Sequence, residues 1–350
     1  MSEIRTFFLA ANGGDGCHHL YSQLTEDRTL RDLVILKGGP GTEVPVFLRL
    51  LGRRLEEAGA ELEVFLSPED PERWEGLALP QLGCAVADGR SPRCLEPRYP
   101  GAVQRTVDLW RFADLTAART ARQEIIRLTE QKQAAEVRAF HSLKAAGQLE
   151  LEARTAVWAA MDWERLARRA AGILRRELRR RGTEVGKTDR RFLGTLTGRG
   201  AVTCWDTAEA LCPRRLELED SFGLAGGVLE TLREAAAARG WNTVACMAAE
   251  DPARMEHLLI PGLGLGFVTA AGDEKRGRRI RLDAMARPEN RGRLRFCRRM
   301  AGQLRQDAGE SLAEARLAGE ALAALYDPYT DWDGVAALAE VESARLLGMG

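Results

Sequence analysis

The sequence of 350 residues lacks net charge, has few lysines and contains no long apolar run. Lysine plus arginine and aspartate plus glutamate each number 51, so no overall charge favours nucleic acid or a membrane surface. The lysines are only Lys37, Lys132, Lys144, Lys187 and Lys275, which leaves few positions for a catalytic lysine. No apolar stretch reaches the roughly 18 residues of a membrane helix, and the first residues do not resemble a signal peptide. We therefore expect a cytoplasmic protein with no membrane contact.

The seven cysteines are scattered, and no two of them are separated by just two residues. Zinc sites usually show such paired ligands, and disulfide frameworks usually have an even number of cysteines. Cys17, His18 and His19 are adjacent, but no matching ligand pair occurs elsewhere. We expect no metal ligands and no disulfide framework, which fits a reducing compartment.

An internal repeat is the clearest feature that is present. Residues 69–83 (EDPERWEGLALPQLG) align without a gap on residues 250–264 (EDPARMEHLLIPGLG), and nine of the fifteen positions are identical. Two further pairs of blocks recur in the same order: 8–16 with 192–200, and 159–170 with 328–339. Three matched blocks in one order indicate two copies of a single unit.

Each copy is predicted to alternate strands with helices, which favours an α/β fold with parallel sheets flanked by helices. The predicted strands are 6–11, 33–36, 61–66 and 83–87 in the first copy and 191–195, 215–218, 243–247 and 264–269 in the second. The predicted helices that follow the second strand of each copy are 46–58 and 228–239.

The boundary between the copies falls near residue 185, which gives domains 1–185 and 186–350. Residues 114–181 are rich in alanine, leucine, glutamate, arginine and glutamine, and this composition favours helix. We expect this segment to form a helical hairpin or a short coiled coil on the first unit, with residues 289–326 as its shorter counterpart in the second.

The first copy contains a strand that runs into a glycine-rich turn and then a helix, LVILKGGPGT at 33–42. This is the setting of a Walker A phosphate-binding loop, GxxxxGK[ST], in which lysine neutralises phosphate oxygens and serine or threonine holds Mg²⁺. Counting from Gly38, the last three positions of that motif hold Glu43, Val44 and Pro45. The Glu43 carboxylate is placed at a helix N-terminus, where it can take the place of a phosphate and repel a triphosphate.

The second copy departs further from the motif. At the repeat offset, residues 219–227 read EDSFGLAGG, so Glu219 and Asp220 replace the opening glycines, and lysine and serine or threonine are absent from the end. A separate GKT occurs at 186–188, but the segment before it is predicted to be helix and a strand follows it. Because the motif requires strand, loop and helix in that order, we interpret this GKT as part of a linker.

An acid at the end of a strand near the loop is the second expected element of a nucleotide site. Asp88 ends the apolar segment CAVAD and fits the Mg²⁺-holding Walker B position. The vestigial nucleotide site therefore consists of Gly38, Gly39, Gly41, Thr42 and Asp88. We assign no catalytic residue and no metal ligand.

At these residues the chain resembles an uncharacterised bacterial family of tandem P-loop proteins, labelled as ATPases or nucleotide-kinase-like proteins. The resemblance covers nearly the whole chain. It is carried by ILKGGPGT (35–42), the DP and LP.LG elements of 70–83, AVADG (85–89), PRYPGAV (97–103), MDW (161–163) and EHLLIPGLG (256–264). It implies ATP and Mg²⁺ as ligands of GKS/T loops, and both loops of this chain lack that ending.

Three functions remain open. We expect a P-loop-type protein that has lost ATP hydrolysis, requires no cofactor, and acts as a scaffold through a protein partner or self-association. The first alternative is a residual ATP-binding protein, a weak ATPase or a nucleotide-kinase-like enzyme in which an arginine replaces the lysine. The second is nucleic-acid binding through the arginine-rich segments 165–181 and 275–305, which the zero net charge disfavours.

Overall fold

The apolar segments that recur in the two copies form two separate six-stranded sheets with helices packed on them. The structure is a computed structural model that describes residues 4–27, 29–179, 181–270 and 278–348. The prediction of an α/β fold, with parallel strands flanked by helices, is confirmed.

The first copy holds eight strands and five α-helices among the described residues. The strands are β1 (Arg5–Phe7), β2 (Ala10–Gly13), β3 (Gly16–His19), β4 (Asp32–Lys37), β5 (Glu63–Leu66), β6 (Trp74–Leu79), β7 (Cys84–Asp88) and β8 (Gln104–Asp108). The helices are α1 (Ser22–Glu26), α2 (Glu43–Glu57), α3 (Leu115–Ala118), α4 (Arg122–Ala159) and α5 (Trp163–Glu177).

The second copy repeats this order. Its strands are β9 (Thr188–Arg191), β10 (Gly194–Thr197), β11 (Gly200–Thr203), β12 (Arg214–Glu219), β13 (Thr243–Ala248), β14 (Asp251–Ile260), β15 (Leu265–Ala270) and β16 (Arg278–Arg281). Its helices are α6 (Trp205–Leu211), α7 (Gly226–Ala237), α8 (Arg291–Ala323) and α9 (Trp332–Leu347). Within these ranges, none of the helices combines the length and apolar character needed to cross a membrane.

The two sheets have the same strand order. The first is β1-β5-β6-β7-β4-β8, and the second, written from its matching edge, is β9-β13-β14-β15-β12-β16. β6 and β14 run antiparallel to both of their neighbours. The sheets are therefore mixed, whereas the sequence predicts parallel sheets. These two strands lie in residues 69–82 and 250–263, for which no strand is predicted from the sequence. A short turn such as 80–83 is enough to reverse the chain into an antiparallel neighbour.

The helix after the first loop, α2, is held by its apolar face. Val44, Phe47, Leu48, Leu51 and Leu55 recur at the spacing of one helical face, and all are fully buried against the sheet. Complete burial of side chains of this size contributes about 2 kcal/mol each. The first turn of α2, and with it the loop before the helix, therefore has a fixed position.

The long helices join the two copies instead of folding back within one copy. α4 packs along α8 in the antiparallel sense, with Ala139 and Leu143 against Ala308 and Leu312. The predicted helical hairpin on the first unit is wrong, because the 38 residues of α4 continue without a break. At 1.5 Å per residue, α4 spans about 57 Å and carries the chain from the first sheet to the second.

The last helix of each copy consequently packs on the other copy. α9 covers α2, and Val335, Ala339 and Leu346 belong to the core of the first sheet. α5 packs on α7 in the second unit. Each of these helices begins at the aspartate of the repeated Asp-Trp block: Asp162 and Asp331 accept a backbone N–H of the first turn.

The two units also meet at equivalent positions of the repeat. Phe8 and Phe192 exchange two backbone hydrogen bonds of 3.0 and 2.9 Å, and both side chains are fully buried. Equivalent positions of the two copies thus meet, and each unit packs against a helix from the other copy.

Candidate functional site

The first loop lies where the sequence predicts it, between the end of β4 and the start of α2. β7 is the parallel neighbour of β4 and pairs Asp88 with Leu36, so Asp88 lies beside the loop. A cavity of about 570 Å³ is lined by Gly38, Gly39, Gly41 and Asp88, together with residues of the long helices. The structure therefore brings the predicted residues together, although Thr42 does not line the cavity.

The Glu43 carboxylate is folded back into this loop. A Cβ atom built on Gly38 would lie 2.6 Å from Glu43 Oε1, and one built on Gly41 would lie 2.5 Å from Oε2. Burial raises the pKa of Glu43, and the Arg90 guanidinium and the backbone N–H groups of Glu43 and Gly39 offset only part of this rise. The carboxylate lies at the helix N-terminus, where a P-loop would hold a phosphate.

Arg90 closes the loop from the cavity side. Its guanidinium donates to the carbonyl oxygens of Gly39 and Gly41, and Nη1 lies 3.8 Å from Glu43 Oε1. The same side chain forms hydrogen bonds of 2.9 to 3.1 Å with the Asp88 carboxylate. Arg90 therefore links the predicted Mg²⁺ ligand to the predicted phosphate loop.

Asp88 is fully occupied by arginines. Besides Arg90, Arg93 lies 3.6 Å from it and pairs at 2.9 Å with the buried Glu75. Although burial raises the pKa of Asp88, Arg90 and Arg93 hold it below its usual value, so the carboxylate is ionised and neutralised in place. Its environment is that of a buried ion-pair network.

The remaining polar groups of the loop also have internal partners. The backbone N–H and the hydroxyl of Thr42 donate to the two carboxylate oxygens of Asp327, at 2.8 and 3.0 Å. Asp327 precedes α9, so this contact comes from the second copy. Lys37 donates to the carbonyl oxygens of Gly89 and Leu95, and it turns away from the loop.

Two further residues complete this cavity. Trp110 covers Gly39, since a Cβ atom there would lie 2.8 Å from the indole ring. Lys132 of α4 is a lysine that lines the cavity, and its Nζ atom pairs with Glu69 at 2.8 Å and Glu136 at 3.6 Å. Although burial lowers it, these carboxylates raise the pKa of Lys132 above its ordinary value.

The second loop is closed by a different carboxylate. Asp220 follows β12, is 8% exposed, and accepts hydrogen bonds from the backbone N–H groups of Leu224 (2.8 Å) and Ala225 (2.7 Å), just before α7. The N–H of the next residue, Ser221, donates to Asp283 at 3.0 Å. The backbone groups that face a phosphate in a working loop are thus satisfied by side chains of the same unit.

The second unit has its own cavity of about 520 Å³ beside this loop. His257 lines it, is buried, and accepts a hydrogen bond at Nδ1 from the backbone N–H of Thr269 (3.0 Å). Burial lowers the pKa of His257, so the ring is neutral near pH 7. Arg154, Arg254 and Arg298 also line this cavity.

Sequence reasoning missed the arginines of both cavities, together with Asp327. Arg90 and Arg93 follow Asp88 directly, at the carboxyl end of β7, which is the edge where α/β sheets bind ligands. That position was a usable signal. Asp327 lies 285 residues from Thr42, and no local pattern links the two.

The other sequence features have simpler roles. Lys187 of the GKT segment pairs with Asp27 and Asp189 at 3.2 and 3.4 Å, before β9. All seven cysteines are free thiols. The described residues contain no group of three or more histidine, cysteine, aspartate or glutamate side chains arranged to hold a metal ion.

Two cavities, each beside a strand–loop–helix element whose backbone donors face a protein carboxylate, are therefore the candidate sites. Comparison of the chain with protein-family models, with curated proteins and with solved structures found no match.

Proposed function

We propose that this chain is a P-loop-type scaffold that no longer hydrolyses nucleoside triphosphates and acts by binding a protein partner or a second copy of itself. One observation carries the proposal. In each unit a carboxylate, Glu43 or Asp220, takes the place where the loop would hold a phosphate. A triphosphate would have to displace a negative charge of the protein from each loop.

The chemistry lost at the first loop supports the same conclusion. Val44 and Pro45 stand where the motif has its lysine and its Mg²⁺-binding hydroxyl. These groups stabilise the charge that develops during phosphoryl transfer, by several kcal/mol in comparable systems. Lys132 is at the cavity, but its charge is already paired with Glu69.

Residual ATP binding, as in a weak ATPase or a nucleotide-kinase-like enzyme, is the alternative in which an arginine replaces the missing lysine. Arg90 is the arginine at the loop. Its guanidinium is engaged with two loop carbonyls and with Asp88, so ATP binding would require this network to break. The alternative and the proposal differ in whether the wild-type loop accepts Mg²⁺–nucleotide.

The test is calorimetric titration of ATP, ADP and GTP, with and without Mg²⁺, into wild type and into the triple variant Glu43→Gly, Val44→Lys, Pro45→Ser. We expect no Mg²⁺-dependent binding to wild type at millimolar nucleotide and clear binding to the variant. Glu43→Gln alone is the matched control, because it removes the charge but leaves the loop filled. Micromolar Mg²⁺-dependent binding to wild type that Arg90→Gln abolishes would overturn the proposal and establish the alternative.

Nucleic-acid binding is a second candidate because of the position of α5. Six exposed or half-exposed arginines of this helix and its C-terminal end form no ion pair with the described residues: Arg165, Arg168, Arg169, Arg175, Arg176 and Arg179. The crossover places them on the second unit, to which the arginine-rich start of α8 also belongs. Binding of duplex or single-stranded nucleic acid that weakens steeply between about 50 and 200 mM salt would favour this candidate.

A further inference from the structure

The cavity beside the second loop is lined by arginines, of which two have no carboxylate within ion-pair distance among the described residues. Four arginines line it, from three elements of the fold: Arg154 from α4, Arg254 from β14, and Arg298 and Arg305 from α8. Arg305 is neutralised, because its guanidinium pairs with both Glu150 and Glu250. The other three arginines share the cavity with Asp220 and Glu256.

Two of these guanidinium groups converge on one point of the loop. Gly223 has φ +71°, and a Cβ atom built on it would lie 3.2 Å from Arg154 Nε and 3.2 Å from Arg254 Cζ. Arg154 also donates to the carbonyl oxygen of Phe222 at 3.2 Å, and Arg298 lies over the Phe222 ring at 5.6 Å. Glycine at 223 leaves the space in which the two side chains approach each other.

Of the described acids near these three arginines, one lies within ion-pair distance of them. Asp220 accepts the loop N–H groups, and Glu256 lies 3.8 Å from His257. Asp251 is 3.6 Å from Arg154. Within the ranges that the structure describes, neither Arg254 nor Arg298 has a carboxylate partner.

This arrangement is costly for the protein without a ligand. The Nε–H group of Arg254 is buried and donates to no partner among the described residues. Burial and the neighbouring Arg254 both lower the pKa of Arg154, as expected for like charges held close together. An anion between the two guanidinium groups would remove both costs, through charge-assisted hydrogen bonds.

We propose that this cavity binds the phosphate group of a small molecule between Arg154 and Arg254, with Arg298 at the rim. A phosphate suits the site better than a carboxylate, because a tetrahedral dianion offers oxygens to guanidinium groups from separate directions. The cavity of about 520 Å³ leaves room for an organic part, which Trp205 and Val202 line. The site does not use the loop cradle, where Asp220 remains.

The experiment is calorimetric titration of pyrophosphate into the full chain, at constant ionic strength set with NaCl. We expect saturable binding by wild type, and at least about tenfold weaker binding by Arg254→Gln and by Arg154→Gln, as for loss of a hydrogen bond to a charged group. Arg233→Gln is the matched control: Arg233 is a partly buried arginine of α7, paired with Glu230, that does not line the cavity. The Arg233→Gln variant should bind pyrophosphate with the affinity of wild type.

Several outcomes would overturn the proposal: heat that NaCl alone reproduces, no saturation at millimolar pyrophosphate, or equal affinity in Arg254→Gln. Tighter binding of succinate than of pyrophosphate would replace phosphate by a dicarboxylate as the ligand class. If the Arg154 and Arg254 variants fail to fold, Arg298→Gln at the exposed rim must still weaken binding several-fold. Nucleotide binding that depends on Arg254 and not on Mg²⁺ would be assigned to this site. It would not contradict the proposal that the first loop binds no nucleotide.

Discussion

The two loops of this chain hold a carboxylate at the same place but take it from different positions of the loop. In the first, the carboxylate comes from Glu43, the first residue of the helix; in the second, it comes from Asp220, at the start of the loop. Both carboxylates face backbone donors at a helix N-terminus, where the helix dipole favours a negative charge. The comparison shows two loops of different sequence that each hold a carboxylate at the N-terminus of the following helix.

The two loop carboxylates differ in how completely they are hydrogen-bonded. Asp220 accepts two hydrogen bonds of 2.7 and 2.8 Å, one on each oxygen. Oε1 of Glu43 is buried, and among the described residues it accepts no hydrogen bond. The second loop is therefore a stable structural element, whereas the first holds a carboxylate whose burial is only partly compensated.

Removal of the Asp220 carboxylate should have the largest effect on the free energy of unfolding. Asp220→Ala leaves the buried N–H groups of Leu224 and Ala225 without acceptors, and each such loss costs about 1–3 kcal/mol. We expect the free energy of unfolding to fall by about 3 kcal/mol, measured by urea denaturation. Asp220→Asn should lose about half of this, and Asp206→Ala, at an exposed aspartate of α6, should change little. A loss below about 0.5 kcal/mol for Asp220→Ala would show that these hydrogen bonds do not stabilise the loop.

Neutralising the Glu43 carboxylate should have a smaller effect on stability, and of opposite sign: it should stabilise the fold at pH 7. Because the pKa of Glu43 is raised in the folded state, its ionisation destabilises the fold. This destabilisation is absent below the unfolded value of 4.5 and complete above the folded pKa. Glu43→Gln should therefore match wild type in stability near pH 4 and exceed it at pH 7. Urea denaturation of both proteins at the two pH values measures the difference.

The comparison of wild type with Glu43→Gln is needed because Glu75, Glu136 and Asp283 also have raised pKa values. Those groups are common to the two proteins, so their contributions cancel. A Glu43→Gln protein that is less stable than wild type at pH 7 would mean that Arg90 compensates the buried charge in full.

Local patterns were enough to predict the repeat, the strand–loop–helix element and the position of Glu43. Each depends on residues close together in sequence: the β4 strand, the glycines after it and the amphipathic face of α2. The closing role of Asp220 was not predicted, because its substitution was interpreted only as the loss of a glycine. The geometry that brings its carboxylate to Leu224 depends on the turn at 221–223.

The crossover of α5 and α9 could not be predicted from local patterns. The apolar face of a helix predicts that the helix packs against another element, but it does not predict which copy provides that element. The two sheets offer equivalent surfaces. The one usable signal was negative: residues 122–159 contain no proline and a single interior glycine, Gly147, so a hairpin within them had no turn. The contact of Thr42 with Asp327 follows from this crossover and was missed for the same reason.

The anchoring of the two loops provides the last and smallest test of the comparison. The first loop is tied to the other copy through Thr42 and Asp327, whereas the second is tied to Asp283 of its own copy. Asp327→Ala removes two partly buried hydrogen bonds and should lower the free energy of unfolding by about 1 kcal/mol. Asp333→Ala, at an exposed aspartate of α9, is the matched control. The decisive measurement is amide hydrogen exchange: the Thr42 N–H should exchange faster in Asp327→Ala, while the Ala225 N–H keeps its protection. Equal acceleration at both amides would mean that the substitution destabilises the whole chain, and that the first loop is not held specifically by the second copy.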